Sequence, residues 1–422
     1  MEEEYLGRVA DKELGTYLAS FGAVLVEGVR GCGKTMTAVR HSASAIFLQD
    51  IRERKNYLRA AEVAPDILLV GDAPRLIDEW QTIPILWDGV RFEVDQRRKK
   101  GQFILTGSSV SAYDDVMHTG TGRFGRLLMR PMSLFESLES DGSVSLVSLF
   151  NKENIKGASP LTLEKLAFAL VRGGWPASVG EEEKAALLYA REYVKFVENR
   201  DISSVDGVER NPKRAHRLMQ SVARNVSTMA RRKTIIEDIT GSGSGEDISE
   251  KTFASYMSAL RRLFVLEELP AWNPSIRSKT ALRTSDKLHF VDPSIAAVLL
   301  NVSPQRLMQD FNTFGLLFES LCIRDLRVYA QAMGGEVFHY HDGSGLEADA
   351  VVQLHDGRWG AAEVKMGAGE IDKAAENLKR LRDKVDEEKM GEPSFLMVLT
   401  AAGYAYRRSD GVYVVPIGCL RD

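Results

Sequence analysis

Cysteine is scarce: Cys32, Cys322 and Cys419 stand far apart in a chain of 422 residues. That spacing excludes a disulfide framework and a zinc ribbon. No uninterrupted apolar run is long enough to cross a bilayer as a helix. The first residues, Met1-Glu2-Glu3-Glu4, are acidic where a secretory signal is basic, so a cytoplasmic protein without membrane association is expected. Surplus positive charge is also missing. Against 55 basic residues stand 59 acidic ones, a formal net charge of −4, so no global field draws the chain to nucleic acid. That sum leaves local basic patches open. Internal repeats are absent, and a composition 44% hydrophobic and 27% charged excludes a disordered chain. The length exceeds one ordinary core and predicts about two to four domains.

What is present is ordered in blocks. Short apolar runs at Ala23–Val26, Ala45–Leu48, Arg75–Ile77 and Gln102–Leu105 are separated by helix-length segments. They predict a mostly parallel sheet buried on both faces. From about 160 to 300 the pattern turns helical, broken by a flexible connector at Gly241-Ser242-Gly243-Ser244-Gly245. Beyond about 310 the order is helix 311–329, strands near 336–341, 346–354 and 359–366, helix 370–389 and strand 394–400, followed by further strand. That order predicts a second α/β domain.

The strongest motif is Gly28-Val29-Arg30-Gly31-Cys32-Gly33-Lys34-Thr35, a complete G-x-x-x-x-G-K-[ST] between an apolar strand and a helix. Its glycines let backbone amides close around phosphate oxygens, the helix start adds positive potential, and Lys34 neutralises the outer phosphates. Thr35 would place its hydroxyl on Mg²⁺. A plain glycine turn is the alternative. Asp78-Glu79 closes a second apolar strand, where Asp78 would hold the metal and Glu79 would polarise the attacking water. Thr106 and Ser108 end a third strand and would sense the terminal phosphate. Arg123 and Arg126, in the glycine-rich Gly122-Arg123-Phe124-Gly125-Arg126, would stabilise transition-state charge in cis or on a neighbouring subunit; a solvated turn is the alternative.

Residues 23–137 resemble the prokaryotic AAA-type P-loop ATPases (AAA_14-like) that carry a C-terminal domain of unknown function, DUF4143. The carriers are the phosphate loop, Leu76-Ile77-Asp78-Glu79-Trp80-Gln81, Ile104-Leu105-Thr106-Gly107-Ser108-Ser109 and Arg130-Pro131-Met132-Ser133-Leu134-Phe135-Glu136. Trp80 stands where isoleucine is familiar. The resemblance runs on to the C-terminus and implies a Mg²⁺-dependent ATPase of the AAA superfamily.

In the helical middle, Ser249 caps a helix on which Phe253, Tyr256, Met257, Leu260 and Phe264 form one apolar face. Runs at 264–269 and 287–291 could form a wing, with Arg277-Ser278-Lys279 between them. Upstream, Arg210, Lys213, Arg214, Arg217, Arg224, Arg231, Arg232 and Lys233 make a basic stretch. A winged helix on DNA would explain both features. A helical linker with a solvated basic surface is the alternative.

In the last domain, Glu363 and Lys365 lie two apart on a strand and share a face; Asp349 on the preceding strand would bring a second carboxylate. This D…E-x-K order resembles the restriction-endonuclease-like superfamily, whose first helix often places another acid where Glu319 falls. Glu319, Asp349 and Glu363 would hold Mg²⁺, and Lys365 would orient or deprotonate water. A structural ion pair of Lys365 with Asp349 is the alternative. His339 and His341 share a strand but make no zinc site, and the histidines are expected to be structural.

The expected fold is therefore α/β: a P-loop NTPase parallel sheet over 1–155, a helical, winged-helix-like domain over 156–305, and a restriction-endonuclease-like α/β domain over 306–422. The expected function is Mg²⁺-dependent ATP binding and hydrolysis coupled to DNA through the C-terminal half. The alternative is a nucleotide-dependent switch whose C-terminal domain contacts a protein partner without cutting. An arginine supplied in trans would require an oligomer.

Overall fold

The computed structural model describes residues 5–108, 120–230, 232–240, 248–274 and 285–422. Ser109, Arg231, the connector Gly241–Gly245 and Arg277–Lys279 lie outside the described residues.

Five strands form the first sheet: β1 Ala23–Gly28, β2 Ser44–Phe47, β3 Arg75–Asp78, β4 Phe103–Gly107 and β5 Phe124–Met129. Their order is β2-β3-β4-β1-β5 and every pair is parallel. The apolar runs of β1, β3 and β4 are continuous because both faces are covered, whereas edge strand β2 buries Ile46 and leaves Ala45 and Phe47 exposed. Val24, Val26 and Ile104 pack into one cluster, and the alternate residues Ala23, Leu25, Phe103 and Leu105 into another. β5 corrects the glycine-rich loop expected around Arg123 and Arg126. It is an edge strand with Phe124, Leu127 and Met129 buried and Arg126 exposed. Gly125 serves packing there: a Cβ would lie 2.4 Å from the ring of Tyr17 on helix Ala10–Ser20 and 2.6 Å from that of Phe21, which follows the helix.

Two short strands follow, β6 Val144–Ser145 and β7 Gly157–Ala158. Then come helices Leu163–Arg172, Glu183–Phe196, Pro212–Arg224, Arg232–Thr240 and Glu250–Arg262, and an antiparallel hairpin of β8 Leu266–Leu269 and β9 Lys287–Phe290. Ser249 caps its helix as the sequence suggests, accepting from the Thr252 N–H, and Phe253, Tyr256, Met257 and Leu260 are buried. The basic stretch is partly spent on ion pairs. Arg210 is buried and binds Asp206 at 2.7 Å, Arg224 binds Asp238 at 2.9 Å, and Lys233 lies 3.6 Å from Glu237. Arg210 is thus structural, not a phosphate contact.

The C-terminal strands are β10 Gly335–His341, β11 Glu347–Leu354, β12 Trp359–Lys365, β13 Phe395–Thr400, β14 Tyr404–Arg407, β15 Tyr413–Pro416 and β16 Leu420–Arg421. The sheet order is β10-β11-β12-β13-β15-β14-β7, antiparallel from β10 to β12 and parallel from β12 through β13 to β15. Helix Phe311–Ala332 contributes to the large core cluster, while Ala374, Ala375, Leu378 and Leu381 of helix Ile371–Lys384 join Trp359 and Val351 in another. β7 pairs with β14 and β6 with β16, so residues 144–158 are stitched to the end of the chain.

The parts are not beads on a string. One hydrophobic cluster runs from Val24 and Ile104 through Leu166, Leu218 and Leu260 to Leu321 and Leu420. A buried polar staple reinforces it. Arg324 binds Asp292 at 2.9 Å and Asp325 at 2.7 Å. Asp325 accepts from the Leu134 N–H at 3.0 Å, and Asp292 from the N–H groups of Gly174 and Ser294 at 2.9 Å. Burial pushes Asp325 up to about 6 against the pull of Arg324.

Two histidines are buried in the same region. His339 is pushed down to about 4 by burial and then by the Lys287 charge, and His289 is lowered by burial and Arg327. Between about pH 6.5 and 4 the unfolded chain therefore binds protons that the native fold refuses. The contribution of these two histidines to stability is expected to be intact above that window and to fall with pH through it, by up to about 1.4 kcal/mol per pH unit for each. Buried carboxyls such as Asp325, raised to about 6, act in the opposite sense. The check is therefore a difference: between pH 7.5 and 5.0, denaturation curves of His339→Gln should lose less stability, or gain more, than those of the wild-type chain.

Candidate nucleotide site and carboxylate cluster

The phosphate loop spans the turn from β1 into helix Lys34–Arg40. Gly28 has φ 148°, and a Cβ there would lie 2.1 Å from the Met129 carbonyl oxygen, so the position admits only glycine. Gly33, at φ 102°, starts the helix against the Arg8 guanidinium. Val29 and Cys32 point into the core, while Arg30 turns outward to Asp201 at 2.9 Å. The Lys34 ammonium is buried and donates to the Gly28 and Val29 carbonyls at 2.9 Å each.

Parallel pairing brings the ends of β3 and β4 beside this loop. The Thr35 hydroxyl donates to Asp78 Oδ1 at 2.8 Å, and Thr106 donates to the same oxygen at 2.7 Å. Thr106 Oγ1 in turn accepts the Glu79 N–H at 2.9 Å, fixing Glu79 in a left-handed conformation at φ 56°. Such a conformation in a non-glycine residue costs energy and is concentrated at functional sites. Ser108 donates to Glu79 Oε2 at 3.1 Å, and the Gln81 side-chain amide donates to the same oxygen. Thr106 is thus fully engaged in locking the acidic pair.

Sequence reading missed Arg8. Its buried guanidinium donates to the Cys32 carbonyl at 2.6 Å, the Arg130 carbonyl at 2.8 Å and the Glu136 carboxylate at 2.9 Å. Glu136 also accepts from the N–H groups of Val9 and Ser133. The Arg130–Glu136 block carried part of the family resemblance without a role; here it clamps the back of the loop. Arg123 and Arg126 need correcting for a role in cis. Phe124 pairs with Ala23, so Arg123 sits beyond the opposite end of β1, about 20 Å from the loop at roughly 3.3 Å per residue, and it binds Asp95 at 3.0 Å. Arg126 pairs with Leu25, about 10 Å back on the same scale.

In the C-terminal domain, Glu319 comes from helix Phe311–Ala332, Asp349 from β11, and Glu363 and Lys365 from β12. Asp349 Oδ2 accepts the Val364 N–H at 2.8 Å and lies 3.5 Å from Lys365, whose ammonium binds Glu363 at 2.7 Å. Lys287, from β9, was not foreseen. It binds Glu319 at 2.8 Å and lies 3.9 Å from Asp349. The expected magnesium set of Glu319, Asp349 and Glu363 is therefore drawn onto two ammoniums. Among the described residues no group of three or more His, Cys, Asp or Glu is disposed to hold a metal ion. Burial, then the Asp349 charge, pushes Glu319 up to about 8 and Glu363 up to about 7. Burial disfavours both ammoniums, but the carboxylates outweigh it and hold Lys287 and Lys365 above the ordinary lysine value.

Residues 20–138 match the family described as an AAA domain. With the loop, the acidic pair and the parallel sheet in place, this part of the chain is an AAA-type P-loop ATPase domain. Residues 163–306 match a domain of unknown function (DUF8612), and residues 314–420 match a second, DUF4143. Among solved structures, the ORC2 protein of Aeropyrum pernix, determined as ADPNP-ADP complexes, is similar over 73% of this chain and 98% of its own. The identity is 14% and the TM-score 0.34, too low to carry an argument. No curated protein matches. No described helix is long and apolar enough to cross a membrane.

Proposed function

We propose that the chain is a magnesium-dependent ATPase whose nucleotide cycle drives DNA binding or processing by its C-terminal half. The observation that carries the ATPase chemistry is the Thr35–Asp78–Thr106–Glu79 network. Thr35 and Asp78 offer hard oxygen donors 2.8 Å apart beside the loop, a donor set suited to Mg²⁺. Magnesium bound there would neutralise phosphate charge. Gly28 to Gly33 present their amides to phosphate, Lys34 exchanges its two carbonyl partners for phosphate oxygens, and Glu79 takes the proton of the attacking water. Ser108, bonded to the Glu79 carboxylate, reads the terminal phosphate. Arg123 or Arg126 acts on the site of a neighbouring subunit.

The DNA half of the reading rests on three helices followed by a hairpin, a winged-helix-like order. Lys251, Ser258 and Arg261 are exposed on the third helix, and Lys213 on the first. We divide the chain for this purpose at 155 and 305. Three free, buried cysteines fit a reducing cytoplasm. The second reading, a nucleotide switch with a protein partner and no cutting, is favoured by Lys287 among the carboxylates.

ATP turnover in magnesium, with and without duplex DNA and with Lys34→Ala as control, separates the two. DNA stimulation absent from the control is expected. A basal rate indifferent to DNA would contradict the coupling and favour the protein-partner switch.

A further inference from the structure

The hairpin β8–β9 touches both sites. On its first strand, Glu267 receives Arg130 Nε at 3.0 and 3.1 Å and Arg327 Nη1 at 2.7 Å. Arg130 directly follows Met129, which pairs with Gly28 of the phosphate loop, and its carbonyl shares the Arg8 guanidinium with Cys32 of that loop. Arg130 also donates to Gln331 at 2.8 Å, beside Arg327 on the long C-terminal helix. On the second strand, Lys287 faces Leu269 in register and reaches Glu319 and Asp349. The segment that leaves the hairpin's first strand is fastened to the C-terminal sheet. His339, where the β10 register shifts, donates its N–H to the Pro270 carbonyl at 2.9 Å, and its own carbonyl accepts the Trp272 N–H at 2.6 Å.

We infer that the hairpin couples the phosphate loop to the carboxylate cluster: Glu267 and Lys287 are positioning residues through which the state of the loop sets how Glu319 and Asp349 are held. The physical ground is that Arg130, Glu267 and Arg327 are largely shielded from solvent. Separating them would strand a buried charge, so a shift of Arg130 drags the hairpin instead of opening the pair. A four-residue antiparallel ladder then passes the shift from Glu267 to Lys287. The inference rests on the reading that the loop binds nucleotide, and it does not require that the cluster cut DNA.

Hydrogen exchange on the full chain, with and without a non-hydrolysable ATP analogue in magnesium, tests it. In the wild-type protein, nucleotide should change exchange by at least about fivefold in peptides covering 285–292 and 314–325. In Glu267→Gln that distant response should vanish while analogue affinity stays within about twofold and the response of residues 20–40 persists. Lys287→Met should keep the response at 285–292 and lose it at 314–325. Arg130→Gln breaks the same link from the other side should Glu267→Gln fold poorly. A wild-type protein that binds the analogue without changing the distant peptides would overturn the coupling, as would an undiminished response in Glu267→Gln. No analogue binding at all would instead sink the ATPase reading, and the coupling with it.

Discussion

Glu79→Gln is expected to bind ATP about as tightly as the wild-type chain and to turn it over about 10²–10⁴-fold more slowly. The substitution keeps the shape of the side chain and removes its basicity. Little else should change, because the backbone of residue 79 is fixed from outside: Thr106 Oγ1 accepts its N–H, and the same hydroxyl is tied to Asp78. The magnesium donors Thr35 and Asp78 stay as they are. Equilibrium titration of ATP beside saturating turnover measures the split. A variant with wild-type turnover would remove Glu79 from the chemistry, and one that loses affinity and turnover equally would make it a binding residue.

The largest effect on stability is expected at the staple. Arg324→Met leaves Asp292 and Asp325 buried without their shared cation, and removing one partner of such a set costs about 3–5 kcal/mol. Asp292 and Asp325 are fully buried and accept backbone N–H groups from Gly174, Ser294 and Leu134. The damage therefore spreads to the segment that follows the ATPase sheet, the helical middle and the C-terminal helix together. Denaturant unfolding followed by far-UV circular dichroism reads it. A loss below about 1 kcal/mol would mean that the site admits water and that the parts are less firmly joined than their common core implies.

Where the sequence could be read, the signal was local. β1, β3 and β4 show as apolar runs because both faces are covered, edge strand β2 shows through its apolar composition although Ala45 and Phe47 are exposed, and the period of a strand places Glu363 and Lys365 together. β5 was misread because an edge strand exposes alternate residues, and Gly125 looks like a turn when its purpose is to admit Tyr17 and Phe21. Arg8 leaves no mark because two of its partners are backbone carbonyls, which any residue supplies. Lys287 escaped for another reason: its partners lie 32 and 62 residues away, so only the tertiary fold brings them together. One miss was avoidable. Asp206 and Arg210 are four apart, a spacing that warns of a local ion pair before a phosphate contact is assigned.

The central claim is that residues 28–35 hold the phosphates of ATP with Lys34 as their counter-charge. Titration of ATP in magnesium against the wild-type chain and Lys34→Ala tests it directly. The buried ammonium stands 2.9 Å from the Gly28 and Val29 carbonyls, poised at the mouth of the loop, and no neighbouring cation of the motif replaces it because Arg30 is turned to Asp201. Saturable binding by the wild-type chain and none by the variant is the predicted result. Equal affinity in the two proteins would contradict it.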